Sequence, residues 1–393
     1  MSVVRHIDDD ERRHRLAIRH ALAPAHHADD VVGAADAVVA LHGTDPASTM
    51  LSVLARAPQL RTADVECALY DDRSLVRVLA MRRTVFAVHH DLATACLAAC
   101  DGVDRSERNK LVTLLTKAEV PDPTGFLAAA EADALAVFDR LEAVTTKDLS
   151  AASDRLATRL RIGSGKWANE VSIASRVLTV LATRGDVVRA RPRGGWTSTQ
   201  FTWSRADRWH PALSDRPDPE EAAARLAGAW LARYGPATPD DLQWWTGWTK
   251  TRTRAALAAL DLVEVRTAAG PAVVLADDVD PVAPPEPWVA LLPALDPTPM
   301  GWKHRDHLLG PHREQVYDVN GNAGATVWVD GRVVGGWTQR DDGEVVTELL
   351  EDVGRDHLEL VARHAAALTE RLADVRVKAR ARGWTPVENR LRT

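Results

Sequence analysis

His42, Thr44 and Asp45 have polar side chains that could act together in catalysis, and they lie within four consecutive positions of the chain. A neutral histidine can accept a proton at neutral pH because the reference pKa of imidazole is about 6.5. The Thr44 hydroxyl could hold a water molecule beside that imidazole, and the Asp45 carboxylate could stabilise a developing positive charge. These three side chains are therefore the candidate catalytic residues, and they suggest activation of a water molecule.

Helices are predicted on both sides of this segment. Apolar residues predict a helix over 35–41, and the Asp45-Pro46 pair is typical of a helix start over 46–57, because the carboxylate caps amides that have no partner. Gly43 would let the backbone turn tightly, so that the polar side chains beside it face the same small space. The alternative is a structural role, in which the histidine interacts with a helix dipole and the threonine shares the capping.

The composition is that of an ordinary globular protein. The chain has 393 residues, 46% of them hydrophobic and 26% charged, and this length predicts about two to four domains. The formal net charge is −6, so any nucleic-acid binding must use a local basic face. Cys67, Cys96 and Cys100 lack the spacing of a metal site. The absence of long apolar runs and of a secretory pattern predicts a cytoplasmic protein.

The same order of elements recurs three times along the chain. Each unit has helices, then a helix rich in basic or hydroxyl residues, and then two short strands that predict a hairpin. In detail, Thr62 is expected to cap a helix over 62–70, Thr238 is expected to cap the helix that follows it, residues 153–160 are expected to be helical, and a long helix is expected over 355–372. Trp244, Trp245 and Trp248 are expected to be core or domain contacts. The order predicts an α+β fold with tandem winged helix-turn-helix domains at 1–120, 121–215 and 216–280, and a C-terminal β-rich domain at 281–393 with a long helix and a basic tail.

Basic residues in these units are the candidate DNA contacts. Two are predicted at the tip of the first hairpin, where they could enter a minor groove, two lie in the loop and wing of the second unit, and three lie in the first turns of a helix over 249–257 that has the look of a recognition helix. The alternative is that these cations form a solvated surface. The full set is Arg82, Arg83, Lys166, Arg193, Lys250, Arg252 and Arg254.

Four motifs occur in a fixed order along nearly the whole chain: Leu41-His42-Gly43-Thr44-Asp45-Pro46, Val78-Leu79-Ala80-Met81-Arg82-Arg83-Thr84, Leu291-Leu292-Pro293-Ala294-Leu295-Asp296-Pro297 and Val329-Asp330-Gly331-Arg332-Val333-Val334-Gly335. In this order they resemble the winged-helix DNA glycosylase family typified by AlkZ and YcaQ. The resemblance implies tandem winged helices arranged as a C-shaped clamp with a C-terminal β-domain. It also implies excision of bulky or cationic N-alkylated purines and unhooking of interstrand crosslinks in double-stranded DNA, without a metal or an organic cofactor.

At the candidate site the chain departs from the pattern of this family. AlkZ-like members have glutamine, an apolar residue and glutamine before Asp-Pro, and YcaQ-like members have glutamine, an apolar residue and aspartate. Here those positions hold His42, Gly43 and Thr44. An alkylated purine is already cationic and leaves readily, so the enzyme has to stabilise an oxocarbenium-like sugar and place a water against C1′. We expect His42 to accept the proton of that water.

Three functions remain open at this point. A monofunctional DNA glycosylase would prefer a lesion in any sequence context, whereas a non-catalytic winged-helix DNA-binding protein or transcriptional regulator would prefer a particular sequence. A structural or protein-binding module would show weak contact with DNA that is insensitive to salt, because only phosphate binding falls steeply with salt. No feature of the sequence demands oligomerisation, so we expect a monomer, associated with the nucleoid if it binds DNA.

Overall fold

Residues 4–162, 169–377 and 383–393 are described by a computed structural model, in which helices alternate with small antiparallel sheets. Lys166 and part of the predicted basic tail lie outside these ranges. No helix within them is long and apolar enough to cross a membrane. The protein therefore has the mixed helix and sheet composition that the sequence predicts.

The N-terminal segment carries the candidate catalytic residues. Its strands form one antiparallel sheet in the order β1-β3-β2, with a short helical turn at Met81–Arg83 between β2 and β3. The predicted hairpin is thus present, with Arg82 and Arg83 at its turn. The elements are α1 (Asp9–Arg19), α2 (Val31–Asp36), β1 (Leu41–His42), α3 (Pro46–Arg56), α4 (Thr62–Glu66), β2 (Leu75–Leu79), β3 (Val85–His89) and α5 (His90–Ala98).

The second segment packs its helices around a separate apolar core, to which Leu115, Phe138 and Leu181 contribute. Its two pairs of strands, β4 with β5 and β6 with β7, are antiparallel. The elements are α6 (Val103–Lys117), α7 (Pro123–Arg140), α8 (Thr146–Ala152), α9 (Asp154–Ala157), β4 (Arg159–Ile162), β5 (Asn169–Ser172), α10 (Ile173–Arg184), β6 (Val187–Ala190), β7 (Thr202–Arg205) and α11 (Ala206–Trp209).

The third segment contains the predicted basic helix and its hairpin. Thr238 caps α13, as the sequence predicts, and its amide in turn donates to Asp241 at 2.9 Å, while Thr249 caps α14. Hydroxyl caps of this kind satisfy amides that the helix itself leaves without partners. The elements are α12 (Pro219–Tyr234), α13 (Pro239–Thr246), α14 (Lys250–Ala258), β8 (Leu262–Thr267) and β9 (Gly270–Leu275).

The C-terminal segment is built on a four-stranded antiparallel sheet in the order β10-β11-β12-β13. The long helix α17 packs on β10 and β13, and it has the bounds that the sequence predicts. The elements are β10 (Val289–Leu292), α15 (Asp306–Leu309), α16 (Arg313–Val316), β11 (Thr326–Val329), β12 (Arg332–Gln339), β13 (Val345–Leu349), α17 (Arg355–Leu372) and α18 (Pro386–Leu391).

Two local predictions for the N-terminal segment are wrong. The predicted helix over 35–41 ends at Asp36, and Leu41 and His42 instead form β1, which pairs with β3. The physical reason is that Val39 adopts a left-handed conformation that breaks the helix, and the partner strand then satisfies the backbone. Gly43 makes no left-handed turn; its amide donates to the Val85 carbonyl at 2.7 Å, so it continues the contact with β3.

Two further predictions need correction. Arg61, not Thr62, occupies the N-cap position of α4, where its amide donates to the Asp64 carboxylate at 2.7 Å. The helix expected over 153–160 ends at Ala157, because the following residues pair with β5 as β4. In both places a hydrogen bond that local propensity does not reveal determines the boundary.

The motif over 291–297 lies against the helix that follows the candidate site. The Ser48 hydroxyl on α3 donates to the Ala294 carbonyl at 2.6 Å. Arg56, at the end of the same helix, forms an ion pair with Asp296, and both side chains are fully buried. The C-terminal segment therefore holds both ends of α3, and through α3 it positions the residues that precede the helix.

Candidate functional site

His42 lies on β1 with its imidazole packed edge-on against Phe86 of β3, the ring centroids 5.9 Å apart. The backbone carbonyl of His42 accepts a hydrogen bond from the Thr49 hydroxyl at 2.9 Å, which ties the strand to α3. Within the described part of the chain, the Nδ1 atom of His42 is buried and has no hydrogen-bond partner. A buried ring nitrogen without a partner is costly, and such an atom is ready to bond a water molecule or a substrate.

The pKa of His42 is lowered to about 4, first because the ring is buried and second because the positive charge of Arg82 is near. Both effects disfavour the protonated imidazolium. His42 is therefore neutral at physiological pH, and one of its ring nitrogens can accept a proton.

Asp45 is buried and caps α3, accepting the Ala47 amide at 3.0 Å. The capping role predicted from the sequence is thus confirmed. Thr44 precedes it and is half-buried. The three candidate catalytic residues lie on the link from β1 to α3, and the sheet and the helix fix that link at its two ends.

Arg82 does not project freely from the tip of the hairpin. Its guanidinium carbon lies 4.3 Å from the centroid of the Trp244 ring, and that of Arg305 lies 4.4 Å from the same centroid. We call Arg82, Trp244 and Arg305 the arginine–tryptophan stack. Gly247, which follows α13, lies close to Arg82: a Cβ atom there would be 3.0 Å from Arg82 Cγ.

The stack concentrates positive charge beside His42. The pKa of Arg82 is lowered to about 10, first by burial and then by the charge of Arg305, so Arg82 remains cationic at neutral pH. Arg305 donates to the Tyr317 hydroxyl at 3.0 Å and to the Pro299 carbonyl at 2.9 Å. Among the described residues, Arg82 Nε is buried without a hydrogen-bond partner. Unneutralised guanidinium groups of this kind suit an anionic ligand.

Trp244 and Arg305 are functional candidates that the sequence analysis missed. The sequence predicts that Trp244, Trp245 and Trp248 are core or domain contacts, and the last two are indeed buried. Trp244 is only half-buried. Arg82, Trp244 and Arg305 come from three distant parts of the chain, so no spacing signal could have joined them.

The other candidate DNA contacts fall into different environments. Arg83 and Arg193 are exposed and form ion pairs, Arg83 with Glu107 at 2.8 Å and Arg193 with Asp148 at 3.4 Å. Lys250 and Arg254 are exposed on α14. Lys166 lies outside the described residues.

Arg252 differs from the other cations of α14, because it is half-buried and its guanidinium donates to the backbone carbonyls of Pro219 at 3.0 Å and Ala98 at 3.4 Å. Its position is that of a packing residue between α14, α12 and α5.

Comparison with known proteins agrees with this architecture. The protein belongs to the mixed helix and sheet class, and its candidate site places a histidine on a short strand beside the arginine–tryptophan stack. Residues 35–376 match the family model for AlkZ-like DNA glycosylases, and the chain belongs to this family. The resemblance noted from the four motifs is thereby confirmed.

A curated relative and a solved structure are similar to this chain. The chain is 31% identical over 225 residues to the interstrand DNA cross-link repair glycosylase of Streptomyces sahachiroi, an alignment that covers 54% of this chain and 60% of that protein. It therefore spans about three fifths of the length of this relative. The solved structure of Streptomyces sahachiroi DNA glycosylase AlkZ superposes with a TM-score of 0.74 at 21% identity, over 95% of this chain and 99% of that one. The two proteins thus share a fold.

Proposed function

We propose that this protein is a monofunctional DNA glycosylase that hydrolyses the N-glycosidic bond of N7- or N3-alkylated purines and unhooks interstrand crosslinks. The observation that carries the proposal is the buried Nδ1 of His42, which has no partner in the described residues and belongs to a ring whose pKa is about 4. Family membership supports DNA as the substrate, and the name of the curated relative supports crosslinks as one lesion class.

The proposed reaction needs little acid–base chemistry. An alkylated purine carries a positive charge, so it departs without being protonated and leaves an oxocarbenium-like sugar. His42 then accepts a proton from the water that attacks C1′. A base with a low pKa is sufficient because the sugar cation is a strong electrophile, and His42 stays unprotonated over the working pH range. The Asp45 carboxylate stabilises the sugar cation, and the Thr44 hydroxyl holds the water.

The arginine–tryptophan stack fits the phosphate beside the lesion. The charge that acts on the pKa of Arg82 is that of Arg305 and not that of a carboxylate. Guanidinium groups bind phosphate with charge-assisted hydrogen bonds. We therefore propose that Arg82 binds the DNA backbone from within the site, instead of entering the minor groove from an exposed tip.

The wider DNA surface follows from the proposed domain organisation. We propose that the domains at 1–120, 121–215 and 216–280 are tandem winged helices, and that 281–393 is the C-terminal β-rich domain. Each of the three segments has helices followed by an antiparallel hairpin, which supports this assignment. Arg83, Arg193, Lys250 and Arg254 would bind phosphates of lesion-containing double-stranded DNA, and the protein would act as a monomer at the nucleoid.

The proposal is tested by measuring base release from duplex DNA that carries N7-methylguanine, N3-methyladenine or a nitrogen-mustard crosslink. The intact protein should produce abasic sites, and His42→Ala should lower the single-turnover rate by about 10²- to 10⁴-fold, the usual contribution of a positioned base. His304→Ala, at an exposed histidine, is the matched control and should retain the rate.

No release from any of these lesions, combined with tight salt-sensitive binding to one DNA sequence, would overturn the glycosylase proposal in favour of a non-catalytic DNA-binding protein. The replacement of both family glutamines by His42 and Thr44 makes this second outcome the relevant alternative.

A further inference from the structure

Histidine and carboxylate side chains cluster where β3 meets α5. His89 is the last residue of β3, and His90 and Asp91 open α5. Each of the three offers a ligand atom, and these atoms all lie within 4.8 Å of one another. Among the described residues, this is the group of three or more such side chains that could hold a metal ion. It shares no residue with the candidate catalytic site.

The contact between His90 and Asp91 is unusual for a hydrogen bond. His90 Nδ1 lies 3.0 Å from Asp91 Oδ1, yet this nitrogen is buried and its geometry gives it no hydrogen-bond partner in the described part of the chain. A bound ion between these two atoms would satisfy both of them. On the other side of the carboxylate, His89 Nδ1 lies 3.9 Å from Asp91 Oδ2. The two imidazoles therefore approach one carboxylate from neighbouring residues.

A third imidazole and a second carboxylate complete the surroundings. The ring of His210, which follows α11, stacks on that of His90 with centroids 4.4 Å apart. His210 Nδ1 accepts the Ala212 amide at 3.2 Å, so His210 packs beside the cluster and is not one of its donors. Asp36 Oδ2 lies 4.0 Å from His89 Nδ1. The two imidazoles and one carboxylate of His89, His90 and Asp91 form a nitrogen and oxygen donor set typical of zinc sites.

Two arginines, Arg73 and Arg233, act electrostatically on His210 and on Asp36. Arg73 places its guanidinium over the Trp209 ring at 4.3 Å and donates to the Trp209 carbonyl at 2.9 Å. Its charge is thus engaged by the ring and the backbone. The two carboxylates supply negative charge on the other side, so a divalent cation is electrostatically compensated.

We propose that His89, His90 and Asp91 bind one divalent transition-metal ion of the zinc type, with a water molecule as the fourth ligand. Tetrahedral zinc with bonds of about 2.0–2.1 Å places its ligand atoms roughly 3.4 Å apart. The observed separations of 3.0 and 3.9 Å lie on either side of this value, so small side-chain rotations bring the donors into place. Asp36 lies outside the coordination sphere and adds negative charge beside His89.

The bound ion would join the end of the sheet to the helix that follows it. His89 is the last residue of β3, and His90 and Asp91 open α5. The metal would therefore fix the junction between α5 and the sheet that carries His42. Its role is structural, and base excision does not use it chemically.

The experiment uses the full chain without a histidine tag, stripped of metal with a chelator and titrated with Zn²⁺ by calorimetry. We expect one ion per chain with a micromolar or lower Kd, and a rise in Tm of several degrees on binding. His90→Ala and Asp91→Asn should each weaken binding at least tenfold. Co²⁺ should give the intense visible absorption of a tetrahedral site, lost in His90→Ala.

His357→Ala is the matched control. His357 also faces a carboxylate, with Nε2 3.1 Å from Asp330 Oδ2. Among the described residues, however, His357 and Asp330 belong to no group of three donors that could hold a metal ion. This variant should bind Zn²⁺ as the wild type does. The proposal is overturned if the wild type binds no ion at micromolar Zn²⁺, or if His90→Ala binds as tightly as the wild type. Because binding and Tm are read without substrate, either result is independent of the glycosylase assay.

Discussion

Arg56 and Asp296 form a two-pronged ion pair that is completely removed from solvent. Arg56 Nη1 and Nη2 each donate to one carboxylate oxygen of Asp296 at 2.8 Å, and the Thr298 hydroxyl accepts from Nη2 at 2.7 Å. The guanidinium holds the pKa of Asp296 below its ordinary value, against the opposing effect of burial. Since Arg56 ends the helix that Asp45 begins, this pair fixes the frame on which the candidate site is built.

We predict that Asp296→Asn destabilises the protein by about 3–5 kcal/mol, because it leaves a buried guanidinium without its counter-charge. Chemical denaturation measures this value. Glu344→Gln is the control: it removes the partner of Arg340 from an exposed pair 3.4 Å apart and should cost less than about 1 kcal/mol. A similar loss in both variants would contradict the importance of burial.

The rate of base excision should fall at acidic pH. A base must be unprotonated to act, so activity is present above the pKa of His42, about 4, and is lost as the pH falls through it. We expect a single-turnover rate that is flat from pH 6 to 8. Because Arg82 contributes to the low pKa, Arg82→Gln should move the acid limb to higher pH.

The pH profile is measured between pH 4 and 8 on a lesion with a permanent positive charge, and the rate of His42→Ala is subtracted at each point. An acid limb that persists in His42→Ala would assign the titration to another group.

Asp45→Asn separates the charge of this residue from its capping role. Asparagine caps helices about as well as aspartate, so the free energy of unfolding should change by less than about 1 kcal/mol. Loss of the charge that faces the sugar cation should lower the excision rate by roughly 10²-fold. Stability is measured by denaturation and rate by single turnover. Equal activity in Asp45→Asn and wild type would restrict Asp45 to the capping role.

Gly247→Ala should disturb Arg82 through crowding. Gly247 has a left-handed backbone with φ of +76°, and an added Cβ would lie 3.0 Å from Arg82 Cγ. Gly102 has a similar left-handed backbone with φ of +82°, and an added Cβ there would meet only Arg105 Nη2, at 3.9 Å. Both alanine variants should lose about 1 kcal/mol of stability from backbone strain, but only Gly247→Ala should slow excision. A rate lowered equally in Gly102→Ala would remove Arg82 from the explanation.

The cations of α14 should divide into two groups. Lys250→Ala and Arg254→Ala change exposed residues, so each should weaken binding to any duplex and lower the salt slope of log K by about 1. Arg252→Ala removes hydrogen bonds to the Pro219 and Ala98 carbonyls and should chiefly lower Tm. Binding is measured by fluorescence anisotropy at several salt concentrations. An unchanged salt slope in Lys250→Ala and Arg254→Ala would exclude α14 from the DNA surface.

The amino-acid sequence was sufficient to predict the elements whose formation depends on residues close together in the chain. The Asp45-Pro46 pair predicted the start of α3, and Thr238 predicted the cap of α13, because capping joins residues only a few positions apart. Alternating side chains predicted the hairpin of β2 and β3. The order of four motifs was enough to identify the family, since motif order survives even where the two glutamines of the family pattern are replaced.

The environment of the candidate site depends on contacts between residues that are distant in the sequence. Leu41 and His42 form a strand because β3 lies beside them, and β3 is distant in sequence. The same distance hid the stack of Arg82, Trp244 and Arg305, and with it a charge that adds to the effect of burial in lowering the pKa of His42. A pKa depends on burial and on charges brought together by folding, so neither the protonation of His42 nor the position of Arg82 could follow from local sequence.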